Sequence, residues 1–312
     1  MPPNILAEQV HHTVRQPTLL FGVDLEDIRH RFSGGETFAS VVPEMTKNLL
    51  DFLEQHHVAA TFFCEGRTVD EFPSLIGEIS ARGHEIACHT YSHRPLFSVS
   101  VDEFRRDLEQ NIETIYKATS LTVKGFRAPF FSSVPKTKWL YSVLREFGFT
   151  YSSSVLDGRW PVAGWPGFFE SFEAEARGSV LTEGIVEIPI TSLRIGAVGM
   201  PVAGGIYARL LPGFFLRLLW RRFLQNKRAI STYIHPYDID LSKPDFRHPE
   251  FQRNALFNLL MHVGRAGLLD KFAGLLEQFP KRSRYDDFVS EHYPEMRSRG
   301  DRKVKLVTSD VA

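Results

Sequence analysis

Residues 59–93 read AATFFCEGRTVDEFPSLIGEISARGHEIACHTYSH. Ala59 to Cys64 is a brief apolar run of strand length, Phe72 to Ala81 has helical period, and Gly83 supplies the helix stop. Glu85 to Cys88 is a second short strand that leads straight into His89. A strand, a crossover helix and a second strand predict neighbouring parallel strands with the helix packed outside. The order also sets the polar cluster HTYSH, His89 to His93, at a strand's carboxyl end, where parallel sheets and barrels gather functional groups.

The same alternation extends in both directions. Leu19 to Asp24 reads as the first strand, and Met45, Leu49, Leu50 and Leu53 form a helical stripe over Met45 to Glu54. Ser100 with Glu103 is a capping box that opens a helix running to Ala118. Phe126 starts another strand, Lys136 to Phe147 is a helix closed by Gly148, and Phe149 to Ser153 is a strand. Trp160 to Gly178 reads as a long loop. Val186 to Ile190 and Ile230 to His235 are further strands with a helix around Phe214 to Phe223 between them, and Leu256 to Gln278 is helical. The charged tail beyond Lys281 is expected to have little order.

Bulk properties exclude several classes of function. With Lys+Arg and Asp+Glu both at 37 in 312 residues, there is no global field to hold nucleic acid or an anionic membrane. The two cysteines, Cys64 and Cys88, lie inside strand-like apolar runs and read as buried thiols. The opening MPPNILAEQVHHTVRQP has no export-signal pattern, which predicts a cytoplasmic protein. Pro212, Arg217, Arg221 and Arg222 interrupt the apolar stretch Leu210 to Leu224, so a membrane span is not expected and peripheral contact is the most it allows.

His89 and His93 stand four apart, a spacing that brings two imidazoles onto one face of a helical turn. Such pairs are commonly a solvated helix face, so the context has to carry the reading. Asp24-Leu25-Glu26-Asp27 supplies what the two histidines lack. A catalytic metal site takes three protein ligands and keeps a position open for water, and a second carboxylate can accept that water's proton.

At this point FGVDLED (21–27), HTYSH (89–93), GFRAPFFS (125–132) and YIHPYDID (233–240) resemble, in order, four motifs of the polysaccharide deacetylases that share a chitooligosaccharide-deacetylase homology domain. The resemblance spans Leu19 to Asp240. PVAGGIYARLLP (201–212) resembles a segment of the branch associated with exopolysaccharide and O-antigen gene products. The resemblance implies that Asp24 is the general base, that His89 and His93 are metal ligands, and that His235 is the general acid. It implies further that Arg127 pairs with the base and that Phe130 or Phe131 lines the sugar subsite. The family's usual first motif has two adjacent aspartates; here Leu25 follows Asp24, so the third ligand is Glu26 or Asp27. Tyr151-Ser152-Ser153-Ser154 stands where relatives read Tyr-Asp-Ser-Ser, which implies either that Asp157 orients the catalytic histidine or that this histidine is less well tuned. Trp160, Trp165 and Tyr207 are aromatic candidates for stacking on a sugar.

The implied fold is a distorted (β/α) barrel with fewer than eight parallel strands. Residues 1–17 would form an N-terminal extension, 18–245 the catalytic barrel, and 246–312 helices and a charged tail packed on the same domain. The implied activity is metal-dependent hydrolysis of an N-acyl group, expected to be N-acetyl, from a sugar or sugar intermediate of surface-polysaccharide, lipopolysaccharide or O-antigen biosynthesis. One divalent ion is expected, zinc first, with iron, cobalt, manganese and nickel also accommodated. Two other readings compete: hydrolysis of a cyclic amide or ureide, and a carbohydrate-binding homologue without turnover.

Overall fold

The computed structural model describes residues 17–159, 164–166, 168, 179–226, 229–242 and 255–296. Trp160, most of the long loop to Gly178, and the tail from 297 lie outside them. In chain order the strands are β1 (Thr18–Leu20), β2 (Gly22–Leu25), β3 (Thr61–Cys64), β4 (Glu85–Cys88), β5 (Gly125–Phe126), β6 (Tyr151–Ser152), β7 (Val180–Thr182), β8 (Ile185–Glu187), β9 (Leu193–Ile195), β10 (Val198–Met200), β11 (Ala229–Ser231) and β12 (Lys281–Ser283). The helices are α1 (Val42–Gln55), α2 (Gly66–Glu71), α3 (Pro73–Ala81), α4 (Val101–Thr119), α5 (Leu140–Glu146), α6 (Gly205–Leu210), α7 (Gly213–Asn226), α8 (Ala255–His262), α9 (Leu268–Leu276) and α10 (Tyr285–His292).

β2, β3, β4, β5, β6 and β8 pair in that order, all parallel, and β7 folds back on β8. The ring closes through β11, which runs parallel to β1, while Ile234 bridges Val23 and the Thr191 N–H donates to the Ser231 carbonyl at 3.2 Å. This is a distorted barrel with fewer than eight staves, joined at one seam by single bonds and not a full ladder. At Phe21 the first stave changes partner: β1 pairs with β12 below it, and β2 pairs with β3 above.

Side chains alternate across the barrel wall. Leu19, Val23, Phe62, Cys64, Ile86 and Cys88 join Leu49, Leu53, Ile76 and Leu108 of the outer helices in the main core. Leu20, Phe63, Ala87, Tyr151, Val186 and Ala229 point inward and pack on Tyr285, Phe288 and Val289 of α10, which plugs the amino end of the barrel. Both cysteines are thus buried thiols of the outer layer.

Several local expectations change. The helix expected over Phe72 to Ala81 is α3 preceded by a separate turn α2, with Pro73 at the start of α3, where a missing N–H costs nothing. The stretch Leu256 to Gln278 breaks into α8 and α9 around Gly264, whose φ of 79° leaves the helical region. The order assigned to the tail is corrected over 281–296: β12 and α10 are integral, because Tyr285 and Phe288 complete the barrel interior.

Glu85 shows how α10 is fastened. Its buried carboxylate accepts from Thr61 Oγ1 at 2.6 Å, Tyr151 Oη at 2.6 Å and the Asp286 N–H at 3.1 Å. Burial nevertheless pushes its pKa up from 4.5 to about 7. Between those values the unfolded chain ionises while the folded carboxyl holds its proton, so stability falls as pH rises, by roughly 3 kcal/mol at about 1.4 kcal/mol per pH unit. Urea unfolding of the wild type should therefore show a lower midpoint at pH 8 than at pH 5, and Glu85→Gln should flatten that difference. An unchanged slope in the variant would show that Glu85 is ionised throughout.

Candidate metal centre and active site

The period of two along the first stave carries Leu20, Gly22, Asp24 and Glu26 to the barrel interior in turn. Gly22 has no room for a side chain, because a Cβ there would stand 2.8 Å from Arg127 Nη1. Arg127, at the end of β5, is fully buried; it donates to Asp24 Oδ1 at 2.6 Å, the Ser153 carbonyl at 3.1 Å, Ser153 Oγ at 3.0 Å and Tyr285 Oη at 2.9 Å. Its guanidinium also lies 3.9 Å from the centre of the Phe63 ring. The interior charge of Asp24 is thereby matched by a fixed planar cation.

Glu26, His89 and His93 converge at the carboxyl rim, with one ligand atom from each within 4.8 Å of the others. Glu26 Oε2 is 2.5 Å from His93 Nε2 and 3.5 Å from His89 Nε2, and the two imidazole Nε2 atoms are 3.1 Å apart. The donor set fits a divalent cation. His89 Nδ1 donates to the Arg127 carbonyl at 2.8 Å, so its Nε2 lone pair faces the cluster. Burial, reinforced by Arg31, pushes His93 down to about 4 and keeps it neutral, as a ligand must be. Burial alone would raise the Glu26 pKa; Arg31, whose Nη2 lies 2.7 Å from Oε2, together with the contacts from His93 and His89, outweighs it and holds the carboxyl well below the usual range.

The histidines reach this position without a helix, which corrects the helical-turn reading of their spacing. Residues 89–95 form an irregular loop with positive φ at Thr90 (62°) and His93 (53°). Its backbone groups are satisfied from α4: the Asp107 carboxylate accepts from the Tyr91 N–H at 2.7 Å and the Ser92 N–H at 3.0 Å, and the Asn111 amide donates to the Thr90 and Cys64 carbonyls. Phe130 (57°) and Phe131 (49°) are left-handed too, so four non-glycine residues in costly backbone conformations ring the site, as strained functional loops do.

Asp27 does not join the cluster. It caps a short 3-10 turn through the Arg29 N–H at 2.9 Å, pairs with Arg29 Nη2 at 2.8 Å and accepts from Ser40 Oγ. His235 Nε2 stands 3.9 Å from Asp24 Oδ2 and 3.8 Å from Glu26 Oε1. Its Nδ1 bonds Asp238 Oδ2 at 2.9 Å, its ring stacks on Tyr237 at 4.5 Å, and Asp238 in turn pairs with Arg209 at 3.0 Å. Burial opposes the charged imidazolium, but the bond to Asp238 and the charges of Asp238, Glu26 and Asp24 prevail and push His235 up to about 8. Asp238 thus holds the orienting place expected of Asp157, which instead faces Arg194 at 3.6 Å.

These groups line a cavity of about 220 Å³ together with Phe130, Phe131, Ile206, Tyr233 and Met261. Tyr207 is half-buried and outside that lining, and Trp165 packs on Phe168. Sequence reasoning missed Arg31, Arg209 and Tyr285. None of them sits in a spaced motif: Arg31 pairs with Glu26 five residues before it, while Arg209 and Tyr285 meet Asp238 and Arg127 from distant parts of the chain.

A polysaccharide deacetylase family model matches residues 34–152, and a model described as a domain of unknown function, DUF3473, matches residues 153–286. The peptidoglycan-N-acetylglucosamine deacetylase of Bacillus cereus is 38% identical over 87 residues, 28% of this chain and 32% of that protein. A chitooligosaccharide deacetylase of Rhizobium leguminosarum bv. trifolii is 36% identical over 76 residues, 24% of this chain and 35% of that one. The chain spans about a third of the length of these two relatives. A structure assigned as a polysaccharide deacetylase from Mycobacterium smegmatis aligns over 91% of this chain and 92% of that one, with a TM-score of 0.58 at 19% identity, which is a likeness of fold. The site draws on both matched regions, His89 to Phe131 from the first and His235 from the second. The chain carries a polysaccharide deacetylase family domain over residues 34–152, followed by the domain of unknown function over residues 153–286.

Proposed function

We propose that the chain hydrolyses the N-acyl group, an acetyl group first, of a sugar. The observation that carries this reading is the convergence of Glu26, His89 and His93 in one cavity with Asp24 and His235 beside them. Glu26, His89 and His93 would hold one divalent ion, with zinc suited to two imidazoles and a carboxylate. Such an ion supplies Lewis-acid polarisation of the acyl carbonyl and acidifies a water.

Asp24, held in place by its pair with Arg127, would take the proton from the attacking water. The Phe131 N–H is committed to the Ala128 carbonyl at 3.1 Å, so a backbone donor to the oxyanion falls to Phe130. His235, oriented through Nδ1 by Asp238, delivers a proton from Nε2 to the departing nitrogen. Phe130, Phe131 and Tyr233 wall the subsite for the acyl group and sugar ring. The cavity is below the ~300 Å³ typical of ligand pockets, which supports a substrate presented one residue at a time. A cytoplasmic sugar intermediate of surface-polysaccharide or O-antigen assembly fits that size, and this assignment rests on the resemblance of residues 201–212. Among the described residues no helix is long and apolar enough to cross a membrane.

The purified chain should carry about one divalent ion, and elemental analysis should find it lost in His89→Ala and His93→Ala, weakened in Glu26→Gln, and kept in Asp27→Asn and Asp24→Asn. Asp24→Asn should nonetheless be inactive. Equal metal in the wild type and the histidine variants would sink the site.

His235 sets the pH dependence on the basic side. The imidazolium is the working form, so the rate on an N-acetyl sugar should fall on the basic side, toward the pH of about 8 at which the ring of the metal-free chain loses its proton. A bound cation moves that limb lower, because a nearby positive charge favours the neutral ring. His235→Ala should lose roughly 10²- to 10⁴-fold in kcat on the amide and far less on an aryl acetate, whose leaving group needs no proton. Equal losses on both substrates would assign His235 a structural or binding role.

A further inference from the structure

Although the whole chain is neutral, its charge is unevenly placed. Residues 188–237 contain seven arginines and lysines and no aspartate or glutamate. Arg209 is buried against Asp238, but Arg217, Arg221 and Arg222 are exposed on α7. The inner face of that helix is ordinary core: Leu216, Leu219, Trp220 and Phe223 are buried, and Trp220 meets Phe272 of α9 edge-on at 6.2 Å. Its outer face presents Phe214, Arg217, Leu218, Arg221, Arg222 and Gln225 at helical spacing. Phe214 is 76% exposed and Leu218 62%, where a helix that meets only water carries polar groups. The β9–β10 hairpin adds exposed Ile195 and Val198, and a groove lined by Leu193, Leu218, Arg221 and Arg222 joins it to α7. α6 links this face to the cavity: Ile206 lines the cavity, Leu210 is exposed, and α7 begins three residues later.

We propose that this face docks on an anionic lipid bilayer, with Phe214 and Leu218 entering the headgroup layer and Arg217 and Arg221 meeting lipid phosphates. Apolar side chains set among arginines on one helix face are what an interfacial helix uses: burial of apolar area and attraction to acidic headgroups act together. Behind α7, α9 and its cap add Asp270, Lys271 and Glu277, one net negative charge that leaves the three arginines of α7 in excess. A second copy of the chain is the poorer occupant, since a two-fold contact sets the same arginines against each other. Nucleic acid is poorer as well, because Leu218, Ile195 and Val198 offer no ring on which a base can stack.

The test is co-sedimentation of the full chain with vesicles of phosphatidylcholine alone and of phosphatidylcholine mixed with phosphatidylglycerol, at low and high salt. Two double variants accompany the wild type, Phe214→Ser with Leu218→Ser and Arg217→Gln with Arg221→Gln. All four side chains are exposed and outside the cavity, so thermal melting of both variants should match the wild type. The wild type should bind the mixed vesicles about tenfold or more tighter than the neutral ones, and salt should narrow that gap. Each arginine at an acidic surface is worth roughly fivefold, so the arginine variant should lose about twentyfold on mixed vesicles and far less on neutral ones. The apolar variant should lose about tenfold or more and keep its dependence on salt. Equal binding to the two kinds of vesicle, or none to either, overturns the proposal. So does binding that either double variant leaves unchanged, which would place the contact elsewhere on the chain. A lipid-free dimer that the apolar variant dissolves, with no binding to vesicles, would assign the face to a second copy instead.

Discussion

A fully buried guanidinium is costly to desolvate, and the barrel is organised around that cost. Arg127 is enclosed by Asp24 of β2, Ser153 after β6, Tyr285 of α10 and the face of Phe63 on β3. Removing any polar partner would leave a charge or donor unsatisfied in a dry interior, a loss of several kcal/mol. Because the partners come from the first stave, the middle of the sheet and the segment that plugs the amino end, the pair fixes where those elements meet. Its carbonyl then sets the His89 tautomer, so the same residue links Asp24 to His89. Tyr285 belongs to the region matched by the domain of unknown function, so that region helps to build the candidate site and is not an appendage.

The first half of the fold was legible because its pattern is local. β4 and the capping box of α4 lie where periodicity and Ser100–Glu103 placed them, and both reciprocal capping bonds form. β8 lies within one residue of the strand read from Val186, but its antiparallel partner β7, the hairpin β9–β10 and the turn α6 were not read, since strands of three residues carry too little alternation to stand out. β12 and α10 were missed for another reason. A charged stretch reads as tail by composition, while its order comes from a few inward residues, Tyr285, Phe288 and Val289, packing against distant strands.

The site divides in the same way. The choice between Glu26 and Asp27 was open from motif spacing, yet strand alternation favours Glu26, which shares the interior face with Asp24 while Asp27 turns outward to Arg29. The four-residue spacing of His89 and His93 pointed to the right pair through the wrong geometry, because α4 side chains and left-handed residues replace a helical turn. Arg209 meets Asp238 across 29 residues, which no spacing reveals, whereas Asp238 reaches His235 from three residues away and Arg31 reaches Glu26 from five, local pairs that only the turn geometry of each loop establishes.

The central claim is that one cation is held by Glu26, His89 and His93 beside Asp24 and His235. Anomalous scattering from a crystal of the zinc-loaded chain tests it most directly. A single strong peak is expected about 2.0–2.2 Å from a Glu26 carboxylate oxygen and from Nε2 of both histidines, with Asp24 bound to Arg127 and His235 outside the coordination sphere. A peak on Asp27, or one with His235 as a ligand, would contradict it.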